Sequence, residues 1–325
     1  MLNGKRNNIE NFLIKSVYNQ IRDKLEKNYD FLEYNKIIIS GMGASGIIGN
    51  LIQDYFKWLS NKDERFKDKI VVVNKSYYLP SFINEEWLSI CISFSGKTEE
   101  TLSVLKQSIE KNINTVFISS NEGIKNLYSR DNYFSVVIPK TELPPRYNLA
   151  SLLAGTLLLF FEKEKVDEIF NFNEIKLNNN FEKLINELKE KIPVVYISEE
   201  LKSVSERIAQ QFNENSKIHC IYGYFSEANH NQLEVQKNDN FIYFFLRHPF
   251  EHERIKKRFE IVKELYEKEC FNFYEIKANE NDLLKNALTI LNLFDYLTIK
   301  LGIEKNVPFN KNPLISFLKE RLKDK

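Results

Sequence analysis

The sequence predicts an α/β protein of two tandem domains, each a mainly parallel β-sheet flanked by helices on both faces. Three observations predict it. The short β-rich runs are continuously apolar instead of alternating in polarity, as strands buried on both faces are. Amphipathic helical patterns stand between them. After a polar stretch at 171–180 the same alternation begins again, and 325 residues are enough for about two domains.

In the first half, strands are expected at Ile37–Ile39, Ile70–Val73, Leu88–Ile92, Thr115–Ile118 and Phe134–Ile138, with helices around Asn8–Lys27, Ile47–Leu59 and Thr98–Lys111. Pro144-Pro145 stops the pattern, and Arg146–Lys163 reads as one helix leading out of the domain. The first domain is drawn at 1–147, a linking helix and polar connector at 148–180, and the second domain at 181–325. There the pattern reads Val194–Ile197 (strand), Leu201–Asn213 (helix), Lys217–Ile221 and Phe241–Leu246 (strands), Glu251–Lys268 (helix), Phe271–Ile276 (strand) and Leu283–Leu301 (helix).

Composition narrows the function. Lys plus Arg (46) nearly equals Asp plus Glu (45), so no global field favours nucleic acid or an anionic membrane, and an anion must be held by local geometry. Cys91, Cys220 and Cys270 stand far apart, against a disulfide framework or zinc knuckle. The N-terminal ten residues lack an apolar signal region, and the longest apolar run, Leu149–Phe161, is too short to span a bilayer. A cytoplasmic location is expected.

Two strand-to-helix junctions carry the chemistry. Gly41-Met42-Gly43-Ala44-Ser45-Gly46 follows the first strand, and Ser93-Phe94-Ser95-Gly96-Lys97-Thr98 follows the third. Free backbone N–H groups and the positive end of the helix dipole make such junctions anion sites, and the hydroxyls of Ser93, Ser95 and Thr98 exceed what one helix cap needs. One phosphorylated ligand held by both loops is the expectation. The first loop also matches GxGxxG, but the second strand ends in Asn74-Lys75 where a dinucleotide site wants an acidic residue. A Walker loop would need glycine where Cys91 stands. His248-Pro249-Phe250-Glu251-His252 matches HxxEH, yet Pro249 suits the first turn of a helix that leaves His248 outside, against a metal site. Glu214 falls at a helix C-terminus, where the dipole disfavours a carboxylate unless another group holds it, a setting suited to a general base. His230 lies in a polar loop between Asn229 and Asn231, whose amides could fix its tautomer.

The blocks Gly41–Gly46, Ser93–Thr101, Pro144-Pro145-Arg146-Tyr147, Asn213–Lys217, Asn229-His230-Asn231 and Asn312–Lys319, taken in this order, resemble the sugar isomerase (SIS) superfamily, and within it the archaeal-type bifunctional phosphoglucose/phosphomannose isomerases. The resemblance spans nearly the whole chain. It implies two SIS-type domains and interconversion of glucose 6-phosphate, and mannose 6-phosphate as well, with fructose 6-phosphate through an enediolate. It implies that Ser45, Ser93, Ser95 and Thr98 hold the phosphate with backbone N–H groups near Gly43 and Gly96. Arg146 would stabilise the enediolate and Glu214 would move the proton between C1 and C2. His230, supplied by the neighbouring subunit, would assist ring opening with Lys319 nearby, so a homodimer with a shared active site is implied. No metal or redox cofactor is called for, and no nucleic acid or membrane partner.

This sequence departs from the family pattern at four positions in or beside these blocks. Ala44 replaces a glycine, which costs little where φ is negative; Lys97 replaces a neutral amide and Gln232 an acidic residue. Asn312 stands where the family commonly has Thr, whose small hydroxyl leaves room for either configuration at C2, so it bears on the mannose activity more than on the glucose activity. A non-catalytic sugar-phosphate-binding module would keep the serine loops but have no use for Glu214, His230 and Arg146 together.

Overall fold

In a computed structural model of the chain, residues 9–175 and 181–323 are described. They fall into two compact units, one of Asn11–Asn173 with Glu280–Leu288 and one comprising Glu174–Asn279 with Thr289–Lys325. Each contains one parallel sheet. Residues 176–180 of the expected polar connector, and Asn8 of the first expected helix, lie outside the described residues.

The first unit contains α1 (Ile14–Ile21), β1 (Lys36–Ser40), α2 (Ala44–Leu59), β2 (Ile70–Asn74), β3 (Leu88–Ile92), α3 (Glu99–Glu110), β4 (Asn114–Ser119), β5 (Tyr133–Val137), α4 (Leu149–Leu157) and α5 (Lys163–Phe170). Its strands are ordered β2-β1-β3-β4-β5, all parallel, with Ile38 opposite both Val72 and Ser89. The central strand β3 is buried at every position and β1 at four of five, whereas edge strand β2 exposes Ile70, which is why the central runs are largely apolar and do not alternate in polarity. Successive side chains point to opposite faces. Ile38, Cys91 and Phe117 pack with Val104, Leu105 and Ile109 of α3 on one face. On the other, Gly49 lets α2 approach Ile39 and Val73, and Gly155 lets α4 approach Ile138 and Ile118.

The second unit holds α6 (Phe181–Leu188), β6 (Ile192–Ile197), α7 (Lys202–Gln211), β7 (Ile221–Tyr224), α8 (Phe225–Ala228), β8 (Phe241–Arg247), α9 (Glu253–Lys268) and β9 (Phe273–Lys277). The last two helices are α10 (Leu283–Glu304), from Thr289 onward in this unit, and α11 (Pro313–Lys323). Its parallel sheet runs β7-β6-β8-β9. One face buries Tyr196, Tyr243 and Phe245 against Phe259, Val262 and Tyr266 of α9. From the other, Phe244 meets Phe294 of α10 edge-on at 5.4 Å.

Four expected elements differ. The single helix over Arg146–Lys163 is a 3₁₀ turn (Pro145–Tyr147) followed by α4 and α5. Asn148 breaks it: fully buried, it leaves the helical region at ψ 24° and donates its side-chain amide to the carbonyls of Leu143 and Pro144. The strand expected at Lys217–Ile221 starts only at Ile221, because Lys217 takes a left-handed conformation (φ 57°) that ends the preceding turn. The N-terminal helix is confined to α1, between 3₁₀ turns at Ile9–Phe12 and Arg22–Lys24. Helix α9 begins at Glu253, not at Pro249, with His252 as its N-cap accepting from Arg254 N–H at 3.1 Å. No helix among the described residues is long and apolar enough to cross a membrane.

Candidate functional site

In a sheet ordered 2-1-3-4-5 the chain reverses direction between β1 and β3, and ligands bind outside the carboxyl ends of the strands at such a switch point. The two loops picked out by sequence leave those two neighbouring strands, Ser40 standing opposite Cys91. In the first, Gly43 has φ 54° and ψ −127°, a backbone open to glycine and strained for other residues, and no atom lies within 4 Å of where its Cβ would be. Gly46 is required by contact instead, since a methyl there would come within 2.6 Å of the Gly41 carbonyl oxygen. Ala44 is the first residue of α2 and is not among the residues of positive φ, so losing a glycine there costs little. Ser45 is in the first turn, 8% exposed.

In the second loop Gly96 has φ 69°, and a methyl on it would lie 3.0 Å from Ser119 Oγ and from Asn121 Cβ. Ser93 is fully buried, its hydroxyl 2.9 Å from that of Thr98, whose N–H it accepts at 3.4 Å. Thr98 is the N-cap of α3, but its hydroxyl serves this pair instead of capping the helix. Ser95 and Lys97 are exposed, with Ser95 Oγ accepting Lys97 N–H at 3.3 Å. The loop is fastened to the end of β4: Phe94 O accepts from Ser120 N–H at 3.1 Å and from the hydroxyls of Ser119 (3.1 Å) and Ser120 (2.8 Å).

Beside this loop opens a cleft of about 800 Å³, lined by Ser95 and Lys97, by Ser120 and Asn121 after β4, and by Lys140 after β5 and Lys24. Of the six residues expected at the phosphate, only Ser95 forms part of its wall. Pro145 is another wall residue, and its neighbour Arg146 is 7% exposed with the guanidinium 4.8 Å from the Tyr147 ring. Ser120 and Asn121 were missed by the sequence reading. Their signal was present, as Ser119-Ser120-Asn121 follows an apolar strand just as Ser93 does.

The second sheet reverses between β6 and β8, and there two buried side chains meet. Ser198, after β6, is fully buried, and its hydroxyl is 2.7 Å from Nε2 of His248, after β8. His248 Nδ1 accepts Phe250 N–H at 3.2 Å, so Nε2 carries the proton and donates to Ser198. Burial, with Arg247 and Lys256 adding to it, pushes the His248 imidazole down to about 3. His248 is therefore an interior group lying ahead of α9.

Glu214 sits in a wide turn, Phe212–Ser216, that prolongs α7. The turn is riveted to α10. Asn215 Nδ2 donates to Thr298 Oγ1 at 2.9 Å, Ser216 Oγ donates to Thr298 O at 2.7 Å, and all three side chains are buried. Gly302 of α10 faces the Asn215 carbonyl so closely that a Cβ could not be placed there without a shift. The half-exposed Glu214 carboxylate accepts from Asn312 Nδ2 at 2.6 Å. The group required to hold a carboxylate at this helix end is thus an amide from the residue just before α11. Lys217 Nζ donates to Asn312 Oδ1 (3.0 Å) and to the carbonyls of Glu214 (2.6 Å) and Lys311 (2.7 Å). Lys217 and Gly302 had been given no role; an isolated glycine inside a helical pattern was the available signal for the second.

His230 is exposed, in a turn after α8 closed by its own N–H to Glu227 O at 2.9 Å. The neighbouring Asn231 amide does not fix its tautomer, donating instead to Glu227 Oε1 at 3.2 Å. Lys319 is exposed on α11.

Residues 177–322 match the model of the bacterial phospho-glucose isomerase C-terminal SIS domain. The bifunctional phosphoglucose/phosphomannose isomerase of Aquifex aeolicus is 30% identical over 299 residues, 89% of this chain and 91% of that protein. The enzyme of the same name from Thermoplasma volcanium is 29% identical over 309 residues, 92% of this chain and 95% of its own. Among solved structures, a hypothetical protein from Thermus thermophilus superposes with a TM-score of 0.71 at 13% identity, covering 99% of this chain and 91% of that one. The C-terminal domain of glucosamine-fructose-6-phosphate aminotransferase from Francisella tularensis does so at 0.69 and 15% identity, over 93% and 97%. These two likenesses show a shared fold, and the sequence relatives go further: the chain belongs to the family of bifunctional phosphoglucose/phosphomannose isomerases.

Proposed function

We propose that the protein interconverts glucose 6-phosphate and mannose 6-phosphate with fructose 6-phosphate, as a homodimer of tandem SIS domains. Aldose–ketose exchange needs one carboxylate to carry a proton between adjacent carbons, charge or donors for the enediolate oxygen, and an acid/base pair to open the ring. In this reading Glu214 moves the proton between C1 and C2 and Arg146 faces the enediolate charge. His230 from the neighbouring subunit, with Lys319, opens the ring. Ser45, Ser93, Ser95 and Thr98, with the N–H groups near Gly43 and Gly96, take the phosphate, and Asn312 lies by the sugar at C2. No electrons leave the substrate, so the chemistry asks for no redox cofactor.

The observation that carries the reading is the placement of two glycine–hydroxyl loops at the β1/β3 switch point of a chain 30% identical over 89% of its length to a bifunctional isomerase. The deciding experiment is a coupled assay for fructose 6-phosphate, run in parallel on glucose 6-phosphate and mannose 6-phosphate with and without chelator. Turnover of both, indifferent to chelator, is expected. Binding of either sugar phosphate without turnover would instead identify a sensor.

A further inference from the structure

A carboxylate that serves two adjacent carbons must be held still, and the structure contains a closed ring of groups around Glu214 that does so. Asn312 precedes the first residue of α11 and accepts Ser316 N–H on its main-chain carbonyl at 3.0 Å, leaving its side chain for other partners. Both ends of that side chain are used. Nδ2 donates to Glu214 Oε2 at 2.6 Å, and Oδ1 accepts from Lys217 Nζ at 3.0 Å. The ring closes where the same ammonium donates to the main-chain carbonyl of Glu214 at 2.6 Å. Its third donor goes to Lys311 O at 2.7 Å, so the three hydrogens of the ammonium have three acceptors, one of them beside Asn312 in the chain.

The carboxylate of Glu214 is therefore tied to its own backbone through two other side chains. An ammonium on the amide oxygen polarises the amide and strengthens its N–H as a donor, because hydrogen bonds in a chain reinforce one another. The donor fixes the position of Oε2 and with it the plane of the carboxylate. An amide suits the place because its acceptor and donor are separate atoms. A hydroxyl would have to put one oxygen within reach of both Lys217 and Glu214.

Resting on the proposed role of Glu214 as the base, we infer that Asn312 and Lys217 are positioning residues that fix its carboxylate. Misplacement of a reacting group by about 1 Å costs on the order of 10²-fold in rate. Asn312→Asp is close to isosteric, retains the acceptor for Lys217 and replaces the donor with an oxygen that repels Glu214. It should lower kcat about 10²-fold and leave KM within roughly twofold. Lys217→Met and Asn312→Ala should act in the same direction, each checked for an unchanged circular dichroism spectrum and melting curve.

The decisive comparison is with Glu214→Gln. If Asn312 acts through Glu214, adding Asn312→Asp or Asn312→Ala to Glu214→Gln leaves the residual rate where Glu214→Gln alone puts it, because the group being positioned no longer works as a base. Additive losses in the double variant, a rise in KM with kcat preserved, or wild-type kinetics in folded Asn312 variants would each overturn the inference. Wild-type turnover by Glu214→Gln alone would remove the base assignment itself, and that single-variant result is read separately from the others.

Discussion

Gly302→Ala is expected to damage turnover from a position that has no functional side chain. The added methyl would sit far inside 3.0 Å of the Asn215 carbonyl oxygen, a backbone atom that cannot swing away as a side chain would, and 3.1 Å from Phe309 Cβ. Ordinary contact requires the carbonyl to retreat by about 1 Å, and Asn215 is bonded directly to Glu214 in the turn. The turn cannot move as one piece without stretching the buried bonds from Asn215 and Ser216 to Thr298. Two effects on stability oppose each other: alanine is about 1 kcal/mol better than glycine within a helix, and overpacking costs roughly 1–3 kcal/mol. The net change in melting temperature is therefore modest. The change in rate is not, since about 1 Å at Glu214, the proposed base, corresponds to some 10²-fold in kcat, or ~2.7 kcal/mol of barrier. The assay is steady-state isomerisation of glucose 6-phosphate coupled to detection of fructose 6-phosphate, alongside a thermal melt. A folded Gly302→Ala protein with wild-type kcat would refute the claim that the packing of α10 against the 212–216 turn sets the position of Glu214.

Glu214→Gln should reduce kcat by about 10²- to 10⁴-fold with ligand binding largely retained, measured by the same assay and by equilibrium binding of fructose 6-phosphate. Ser95→Ala should act mainly on KM, since a phosphate contact persists from ground state to transition state; Thr98→Ala should add a loss of stability by removing the partner of the buried Ser93 hydroxyl. A His248→Gln comparison tests the buried imidazole. Its proton affinity in the folded protein, down at about 3, lies below the ordinary value of 6.5, so below pH 6.5 the unfolded chain binds a proton that the folded one refuses. The stability it contributes is complete above that pH and falls away between pH 6.5 and 3. Urea unfolding at pH 7 and pH 5 should show wild type losing up to ~2 kcal/mol more than His248→Gln, and equal losses would contradict the assignment.

What the sequence made legible follows physical lines. Strands β1 and β3 were readable because burial on both faces favours apolar residues throughout, and their boundaries came within one residue or so of those observed. The glycine loops were readable because positive φ at Gly43 and Gly96 excludes nearly every alternative. The breaks were hidden by tertiary demands. Asn148 separates a 3₁₀ turn from α4 through hydrogen bonds to carbonyls four and five residues earlier, and Lys217 enters the left-handed region where composition suggested a strand. Nothing in local propensity separates Ile218-His219-Cys220 from strand residues, and only pairing with β6, which begins at Ile221, does so.

The same distinction explains the candidate site. Residue types that bind anions announce themselves in sequence, because few other jobs need three hydroxyls and a glycine in six positions. The groups gathered around the proposed base do not, since an asparagine, a lysine and a glycine from three separate elements have no shared pattern until the chain folds. Glu214 shows the dependence most clearly. The helix-dipole argument required some group to hold its carboxylate and could not say which, while the structure supplies Asn312, 98 residues later in the chain. Position 312 therefore carries two demands at once: room beside the sugar, which the family resemblance assigns to it, and the hold on Glu214, which its amide performs. On the proposed reading, a residue there cannot be exchanged to widen substrate choice without also moving Glu214. Any change in preference between the glucose and mannose epimers at this site should arrive with a change in kcat for both.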